Sequence, residues 1–368
     1  MHHKSEFGRI LAASFVSQSG SHFLTIALAA YILVSSGSAI QSALVFVVSF
    51  LPSILVSAQL GDWIDRKLSR LLMARNDVIA TVLSILCGAC IYYKMPLVLL
   101  CVILGARSIL TFTGRAASSK WIKLITPPEL QEKRNKLFFL SFFLSTALAG
   151  VLAGVILASG SIVTVVVIDV LTYLLGISII LTLRAQPEGV GSPVTSIEQS
   201  RPKLIDTLRC ILQMPNVRTS FLLVCFSQAI FQGAYSVLVS YLPIRHFGLG
   251  VGSIGMFQLA TSLGLTAGFL LVWFFPHKIN DENIELPVKA LGISAVAVAS
   301  ALLLSVSHNL PFSLFLFMLF NLAYECVWLH HSTKFYRASP KNYTARYQFT
   351  ISACGAFFMS ISTLGYSA

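Results

Sequence analysis

The sequence predicts an all-α protein that crosses a membrane about eleven times. Three observations predict this fold class. Of the 368 residues, 56% are hydrophobic and only 11% are charged, whereas soluble domains carry about 25% charged residues. The apolar residues form runs of about 20, long enough to span the hydrocarbon of a bilayer as helices; the run at 221–244 holds no charged residue. Basic residues gather in alternate segments between the runs.

The apolar runs, taken in order, define the predicted membrane helices. Backbone groups in lipid must be hydrogen-bonded within their own segment, so each run is assigned as a helix. The runs lie at 9–34, 40–60, 71–93, 96–116, 137–158, 162–183, 219–243, 252–275, 287–306, 311–332 and 346–366.

The segment 184–218 differs in composition from the runs on either side. Its first part holds Pro187, Gly189, Gly191 and Pro193, which is typical of a flexible linker. Its second part, 203–212, predicts an amphipathic helix that lies on the membrane surface. The apolar face of that helix would carry Leu204, Ile205, Leu208, Ile211 and Leu212, opposite Lys203, Asp206 and Arg209.

This segment divides the predicted protein into three parts. Residues 1–183 form a half of six helices, 184–218 form a cytoplasmic linker, and 219–368 form a half of five helices. Transporter folds are commonly built from matched repeats, so a twelfth helix is apparently missing from the second half.

Positive charge in alternate loops predicts the orientation in the membrane. Only Lys94 and Arg245 lie in the odd-numbered loops. The even-numbered loops hold Arg66, Lys67, Arg70, Lys120, Lys123, Lys133, Arg134, Lys136, Lys278, Lys334, Arg337 and Lys341. Loops rich in Lys and Arg stay in the cytoplasm, so the N-terminus is predicted to be cytoplasmic. The net charge of +12 is explained by this pattern, and nucleic acid is not predicted as a partner.

The most specific motif lies between the second and third predicted helices. It reads Gly61-Asp62-Trp63-Ile64-Asp65-Arg66-Lys67-Leu68-Ser69-Arg70. Gly61 lets neighbouring helices approach closely. Asp65 can pair with an arginine or with the N-terminus of another helix, while Arg66 and Arg70 anchor the turn at the cytoplasmic surface. The simpler alternative is an ordinary basic turn, but the order of Gly, Asp and Arg favours a gating motif.

This motif resembles the signature loop of the major facilitator superfamily, with G-x-x-x-D-R-x-x-x-R preserved. Further segments resemble its bacterial drug and siderophore efflux branch, including enterobactin exporters and macrolide efflux proteins. These segments are Phe15-Val16-Ser17-Gln18-Ser19-Gly20, Ser36-Gly37-Ser38-Ala39, Leu51-Pro52-Ser53, Arg75-Asn76-Asp77, Ile168-Asp169-Val170-Leu171-Thr172-Tyr173 and Met214-Pro215-Asn216-Val217-Arg218.

The resemblance implies the major facilitator superfamily fold and a function. We expect a monomeric secondary transporter of a bacterial inner membrane that exports a small organic molecule by proton antiport. A siderophore is the first substrate expected and a hydrophobic drug the second. Two alternatives stay open: an importer or facilitator with the same fold, and a truncated membrane protein that does not transport or that binds a partner.

Ionisable residues inside the predicted helices are the candidates for coupling and substrate binding, because burying a charge in hydrocarbon is costly. Arg107, Asp169 and Glu325 are predicted to take part in proton coupling, with Glu325 as the carrier. Arg107 would pair with Glu325 or hold an anionic substrate. By the resemblance, the first, fourth, seventh and tenth helices line the central path, which places His22, Arg107 and Glu325 on it, although His22 is equally interpretable as a hydrogen-bonded packing residue. The sixth helix packs outside the path in that family, which favours Asp169 as a structural pairing residue over a coupling residue.

Polar residues on the first and seventh predicted helices complete the candidate substrate lining. Gln18 lies one turn before His22. Gln228, Gln232 and Tyr235 follow helical spacing and would share one face, which suits a polar or catechol-like ligand or plain hydrogen bonds between helices. No set of nucleophile, base and oxyanion donors is apparent, and no metal or cofactor site is predicted, so the sequence does not indicate an enzyme.

Overall fold

The computed structural model describes residues 2–66, 69–158, 162–183, 204–274, 286–338 and 344–367, and every element within these ranges is helical. The first half of the chain contains six long helices. They are α1 (His2–Ser36), α2 (Ala39–Arg66), α3 (Ser69–Tyr92), α4 (Leu97–Ile125), α5 (Pro128–Ala158) and α6 (Ile162–Leu181).

The second half begins with a short helix and continues with longer ones. The α-helices are α7 (Leu204–Gln213), α8 (Pro215–Ser227), α9 (Gly233–Tyr241), α10 (Ile254–Phe274), α11 (Leu286–Val306), α12 (Leu310–Ala338) and α13 (Thr344–Ser367). Two π-helical turns, Gln228–Gln232 and Leu242–His246, join α8 to α9 and follow α9. Together these four segments occupy the single run predicted at 219–243. Most of the predicted linker, residues 184–203, lies outside the described residues.

Seven helical segments of the described residues are long and apolar enough to span a membrane, judged by length and composition, and one of them, Val217–His246, joins α8, α9 and the two π-helical turns. Shorter apolar stretches of 10–17 residues lie within α2, α5 and α11, at Ala39–Pro52, Leu140–Ile156 and Gly292–Val306. The protein is therefore an all-α, multi-pass membrane protein, and the count of eleven spans stays a prediction.

Helices α4 and α5 extend further than the apolar runs predict. The fourth apolar run ends near residue 116 and the fifth begins near 137, but the two helices meet at the corner between Ile125 and Pro128. Arg134 holds this corner, since its Nη1 donates to the Thr126 hydroxyl at 3.0 Å and to the Ile125 carbonyl oxygen at 3.3 Å. Thr126-Pro127-Pro128-Glu129 predicts a helix start, because Thr126 can cap and proline fits the first helical position. This prediction agrees with α5, which begins at Pro128, so the charged residues here extend a helix beyond the apolar layer.

The chain divides into two compact units, 1–31 with 44–201 and 32–43 with 202–368. In the first unit, α3 packs along both α4 and α6. Trp121 and Ile122 of α4 are buried in its core against Ile10 of α1 and Phe138 of α5. Close crossings of α1 and α6 occur at Gly20 and Gly176, where a side chain would overlap the opposite helix. Small residues allow such crossings.

The second unit is organised around the contact between α10 and α12. Gly264 and Gly268 lie one turn apart on α10 and face α12; a Cβ atom at Gly268 would lie 2.8 Å from the Leu322 carbonyl oxygen. The predicted amphipathic helix is present as α7. Its Ile211 is fully buried in a cluster with Val217, Phe221, Phe335 and Ile351, whereas Leu212 is 38% exposed. The apolar face of α7 therefore packs partly against protein, in addition to the predicted membrane surface.

Candidate functional site

The centre of the first unit holds a buried ion pair between α4 and α6. Arg107 donates to both carboxylate oxygens of Asp169, with Nη1 2.7 Å from Oδ2 and Nη2 3.3 Å from Oδ1. Arg107 is 4% exposed and Asp169 is 0% exposed. The same guanidinium also donates to the hydroxyl groups of Ser84 and Tyr173. Bidentate pairs between arginine and a carboxylate are among the strongest polar contacts in proteins.

This pairing corrects one prediction for Arg107. Its carboxylate partner is Asp169 and not Glu325, because α4 and α6 both pack against α3 and bring the two side chains together. The charge of Arg107 is already balanced by Asp169, so an anionic substrate would have to compete with a pair inside the protein. The interpretation of Asp169 as a pairing residue agrees with this geometry, and a role for either residue in proton coupling stays a prediction.

A chain of hydrogen bonds extends from the ion pair towards α1 and α3. The Tyr173 hydroxyl oxygen lies 2.6 Å from the Ser21 hydroxyl oxygen. One turn earlier on α1, the Ser17 hydroxyl donates to Oδ2 of Asp77 at 2.9 Å. The crossing at Gly176 is what admits Ser17 and Asp77, since a Cβ atom there would lie 3.1 Å from Asp77 Oδ2.

A cavity of about 40 Å³ lies beside this chain and is lined by α1, α3, α4 and α6. Gln18 and Asp77 line it, and Arg115 lies on its α4 side. The Oε1 atom of Gln18 is buried and makes no hydrogen bond to a described residue. The predicted lining residue Gln18 thus faces a small polar cavity in the first unit.

His22 lies one turn from Gln18 but packs mainly against an aromatic ring. Its imidazole meets Phe142 of α5 edge-on, with ring centroids 4.9 Å apart. The Nε2 atom is buried and makes no hydrogen bond to a described residue. Phe142 also contacts Arg115, whose guanidinium Cζ lies 4.1 Å from the centroid of the Phe142 ring.

Two ionisable residues of this region, Asp77 and Arg115, are absent from the candidates that the sequence suggested. Both lie within predicted membrane runs, at 71–93 and 96–116. The cost of burying a charge in hydrocarbon is the signal that could have identified them. Arg115 falls near the predicted end of its run and Asp77 lies two residues after Arg75, so both resemble charges of the cytoplasmic surface. The structure places them against the cavity instead.

In the second unit, Glu325 lies at the close contact of α12 with α10. It is 1% exposed, and its Cβ would lie 2.8 Å from a Cβ atom at Gly268. Its Oε1 atom is buried and receives no hydrogen bond from the described part of the chain. Glu325 is therefore a deeply buried carboxyl group on a tight helix contact.

The side chains predicted to share one face near Gln228 contact three different helices. Gln228 lies against Gly355 of α13, Gln232 lies beside the Tyr324 side chain on α12, and the Tyr235 hydroxyl donates to Oε1 of Gln258 on α10 at 2.8 Å. The prediction assumed a regular α-helix. The π-helical turn Gln228–Gln232 changes the rotation per residue and separates the side chains.

The π-helical turn is fixed by a hydrogen bond from α13. The Ser362 hydroxyl donates to the carbonyl oxygen of Ala229, within the turn, and Gly233 leaves room for Ser362 beside the helix. Because a π-turn leaves backbone groups without their usual partners, this side-chain donor stabilises it. None of the three predicted lining residues in this region is free of contacts with other helices.

The predicted gating motif is mostly helical. Gly61, Asp65 and Arg66 lie on the last turns of α2, so only residues 67–68 separate α2 from α3. The side chains of 53–69 lie outside the described part, and the gating role of this motif stays a prediction. Arg70 is described: its Nη2 donates to the carbonyl oxygen of Leu181 at 2.6 Å. A cation at the last carbonyl groups of α6 stabilises the end of that helix.

Comparisons with known proteins agree with this architecture. The family profile described as Major Facilitator Superfamily matches residues 10–363. A comparison with curated proteins finds no match. Solved structures with a similar fold include a bacterial homologue of the human lysosomal transporter Spinster, inward-facing and occupied. That likeness has a TM-score of 0.75 and 14% identity, and covers 98% of this chain and 80% of that one.

Two further similar structures are transporters. The nucleoside transporter NupG has a TM-score of 0.68 and 14% identity, covering 98% of this chain and 90% of its own. A POT family transporter in complex with a thioalcohol-conjugated peptide has a TM-score of 0.74 and 12% identity, covering 97% and 89%. At these identities the likeness shows the fold alone. The family match across nearly the whole sequence, on an all-helical membrane architecture, identifies the chain as a member of the major facilitator superfamily: a membrane transporter and not an enzyme.

Proposed function

We propose that the protein exports a small organic molecule from the bacterial cytoplasm in exchange for protons. A siderophore is the first candidate substrate and a hydrophobic drug the second. The observation that carries the proposal is Glu325, whose buried Oε1 has no hydrogen-bond donor among the described residues. A carboxyl group held in this way at a helix contact can exist with or without a proton, and its two forms fit the contact differently.

Coupling follows from what a proton contributes to the transport cycle. Moving one charge through 100 mV is worth about 2.3 kcal/mol, which biases the two states of the transporter. In the proposed cycle the two helical halves move about a central binding site and expose it to each side of the membrane in turn. Glu325 loses its proton to the cytoplasm in one state and gains it from outside in the other.

The proposal includes an orientation and an assembly state. The N-terminus lies in the cytoplasm, because the basic residues between the predicted helices gather on that side. The protein lies in the inner membrane and acts as a monomer. Gly61, Asp65, Arg66 and Arg70 form a gate at the cytoplasmic surface, which one conformation closes and the other opens.

Flux measurements in vesicles of known orientation test the function. Everted membrane vesicles from cells that produce the protein should accumulate a catecholate siderophore, or else a macrolide, when the vesicle lumen is made acidic. A protonophore should abolish the accumulation, and vesicles from cells without the protein provide the background. Accumulation only in right-side-out vesicles, or flux that ignores the gradient, would contradict proton-coupled export.

The same experiment separates the alternatives. An importer or facilitator with the same fold is the second candidate, because a likeness of fold to transporters such as NupG and a POT family member does not set the direction of transport. It would accumulate substrate in right-side-out vesicles. A truncated protein that does not transport would show no flux in either orientation, although it inserts into the membrane.

A further inference from the structure

Arg115 is a partly buried cation whose surroundings differ from those of Arg107. Both lie on α4, two helical turns apart. Arg107 is balanced by Asp169, whereas Arg115 makes no ion pair with a carboxylate group of the described residues. Its Nε atom is buried and has no hydrogen-bond acceptor in the described part of the protein. Buried donors in native proteins almost always have an acceptor, so the unpartnered Nε of Arg115 requires an explanation.

The contacts of Arg115 hold its guanidinium in place and leave its buried Nε–H without an acceptor among the described residues. One face of the group lies on the ring of Phe142, with Cζ 4.1 Å from the ring centroid. This ring is in turn held by the edge-on contact of His22 at 4.9 Å. A ring face attracts a cation but accepts no strong hydrogen bond. The planar group is therefore oriented, and its Nε–H remains available to a carboxylate, whose geometry a guanidinium matches.

The cavity beside Arg115 has the size and polarity to receive one acidic group. Its volume of about 40 Å³ corresponds to roughly three water-sized groups. That is enough for a carboxylate but not for a whole organic substrate. Gln18 and the hydroxyl-bearing residues Ser14 and Ser21 line it, and the unpartnered Oε1 of Gln18 can accept a hydrogen bond from a neighbouring hydroxyl or amide of the ligand.

We propose that Arg115, oriented by Phe142, binds the acidic group of an organic anion, so that the transported substrate carries a carboxylate or a comparable planar anion. This inference rests on the proposed transport function and adds the substrate class to it. It also moves the anion-binding role from Arg107, where the sequence suggested it, to Arg115.

Asp77 sets a condition on this binding, because it lines the same cavity. Its Oδ2 accepts the Ser17 hydroxyl at 2.9 Å. A negative charge on Asp77 would repel an anion held by Arg115, and removing that charge should strengthen anion binding. Asp77→Asn and Arg115→Gln are thus expected to shift anion affinity in opposite directions.

Equilibrium binding to the purified full-length protein in detergent tests the proposal without any proton gradient. Radiolabelled benzoate serves as the anionic probe and benzamide as its uncharged analogue of the same shape. The wild-type protein should bind benzoate at least about tenfold more tightly than benzamide. Arg115→Gln should remove this preference, Arg115→Lys should retain part of it, and Asp77→Asn should increase it. Arg209→Gln, which removes an exposed arginine of α7, is the matched control and should leave it unchanged.

Equal affinity of the wild-type protein for benzoate and benzamide would overturn the proposal, as would a benzoate preference that survives in Arg115→Gln. Benzoate should also raise the melting temperature of the wild-type protein more than benzamide does. This measurement needs only the wild-type protein, so it remains informative even if a variant fails to fold. The benzoate measurement involves no proton gradient. It can therefore fail while proton-coupled export, which the vesicle experiment measures, is still observed, and the reverse also holds.

Discussion

Replacing Asp169 by Asn is expected to lower the free energy of unfolding by about 3–5 kcal/mol, because it leaves the buried Arg107 without its counter-charge. Arg107→Gln should be similarly costly, since it leaves the Asp169 carboxylate unpaired. The double variant Arg107→Gln/Asp169→Asn should recover most of the loss, because two neutral amides can hydrogen-bond each other. Unfolding of the purified protein by SDS titration in mixed micelles measures all three differences.

A second carboxylate in the same hydrogen-bond chain provides the matched control. Asp77 accepts a hydrogen bond from Ser17 and has no cation paired with it among the described residues, so Asp77→Asn keeps the acceptor and loses no ion pair. We expect a change of less than about 1 kcal/mol. If Asp169→Asn were as stable as the wild-type protein, or if the double variant were no better than the worse single one, the ion pair would not stabilise this unit.

Replacing Glu325 by Gln is expected to abolish accumulation of substrate against a gradient while leaving substrate exchange intact. The glutamine has nearly the same shape but cannot take up or release a proton. A proton moving through 100 mV is worth about 2.3 kcal/mol, so the accumulation ratio should fall from up to about 50-fold to unity. Exchange of labelled for unlabelled substrate moves no net proton and should continue.

Two further variants make the Glu325 experiment specific. Glu325→Asp retains an ionisable group at the same position and should preserve part of the accumulation. Glu129→Gln removes an exposed carboxylate at the start of α5 and should behave like the wild-type protein. Full accumulation by Glu325→Gln would show that the proton is carried elsewhere, with the buried Asp169 and the partly buried His22 and Asp77 as the remaining candidates.

Much of the fold follows from the sequence because few backbone structures can satisfy their hydrogen bonds inside a lipid bilayer. A run of about 20 apolar residues can satisfy its backbone only as a helix, and the predicted runs recur as helices throughout the described residues. The apolar runs mark only the membrane layer, so the predicted end of α4 near residue 116 was wrong and the helix continues to Ile125. The start of α5 follows from the local sequence instead, since Thr126-Pro127-Pro128-Glu129 predicts a helix start and α5 begins at Pro128.

The candidate site was less predictable, since it depends on which helices touch. The sequence shows that Arg107 and Asp169 are costly to bury, but only the packing of α4 and α6 against α3 shows that they pair. The π-helical turn at Gln228–Gln232 has no clear sequence signal, because it depends on Ser362, far away in the chain. Arg115 was overlooked because its position near the end of a run resembles a surface anchor.

Substrate-driven proton movement tests the central claim most directly. Purified protein is reconstituted into liposomes that hold a pH-sensitive dye in their lumen, and a catecholate siderophore or a macrolide is added outside with no gradient imposed. We predict that substrate entering the lumen drives protons out. The lumenal pH should therefore rise with the wild-type protein and stay constant with Glu325→Gln. Substrate entry without any change of lumenal pH in the wild-type protein would contradict it.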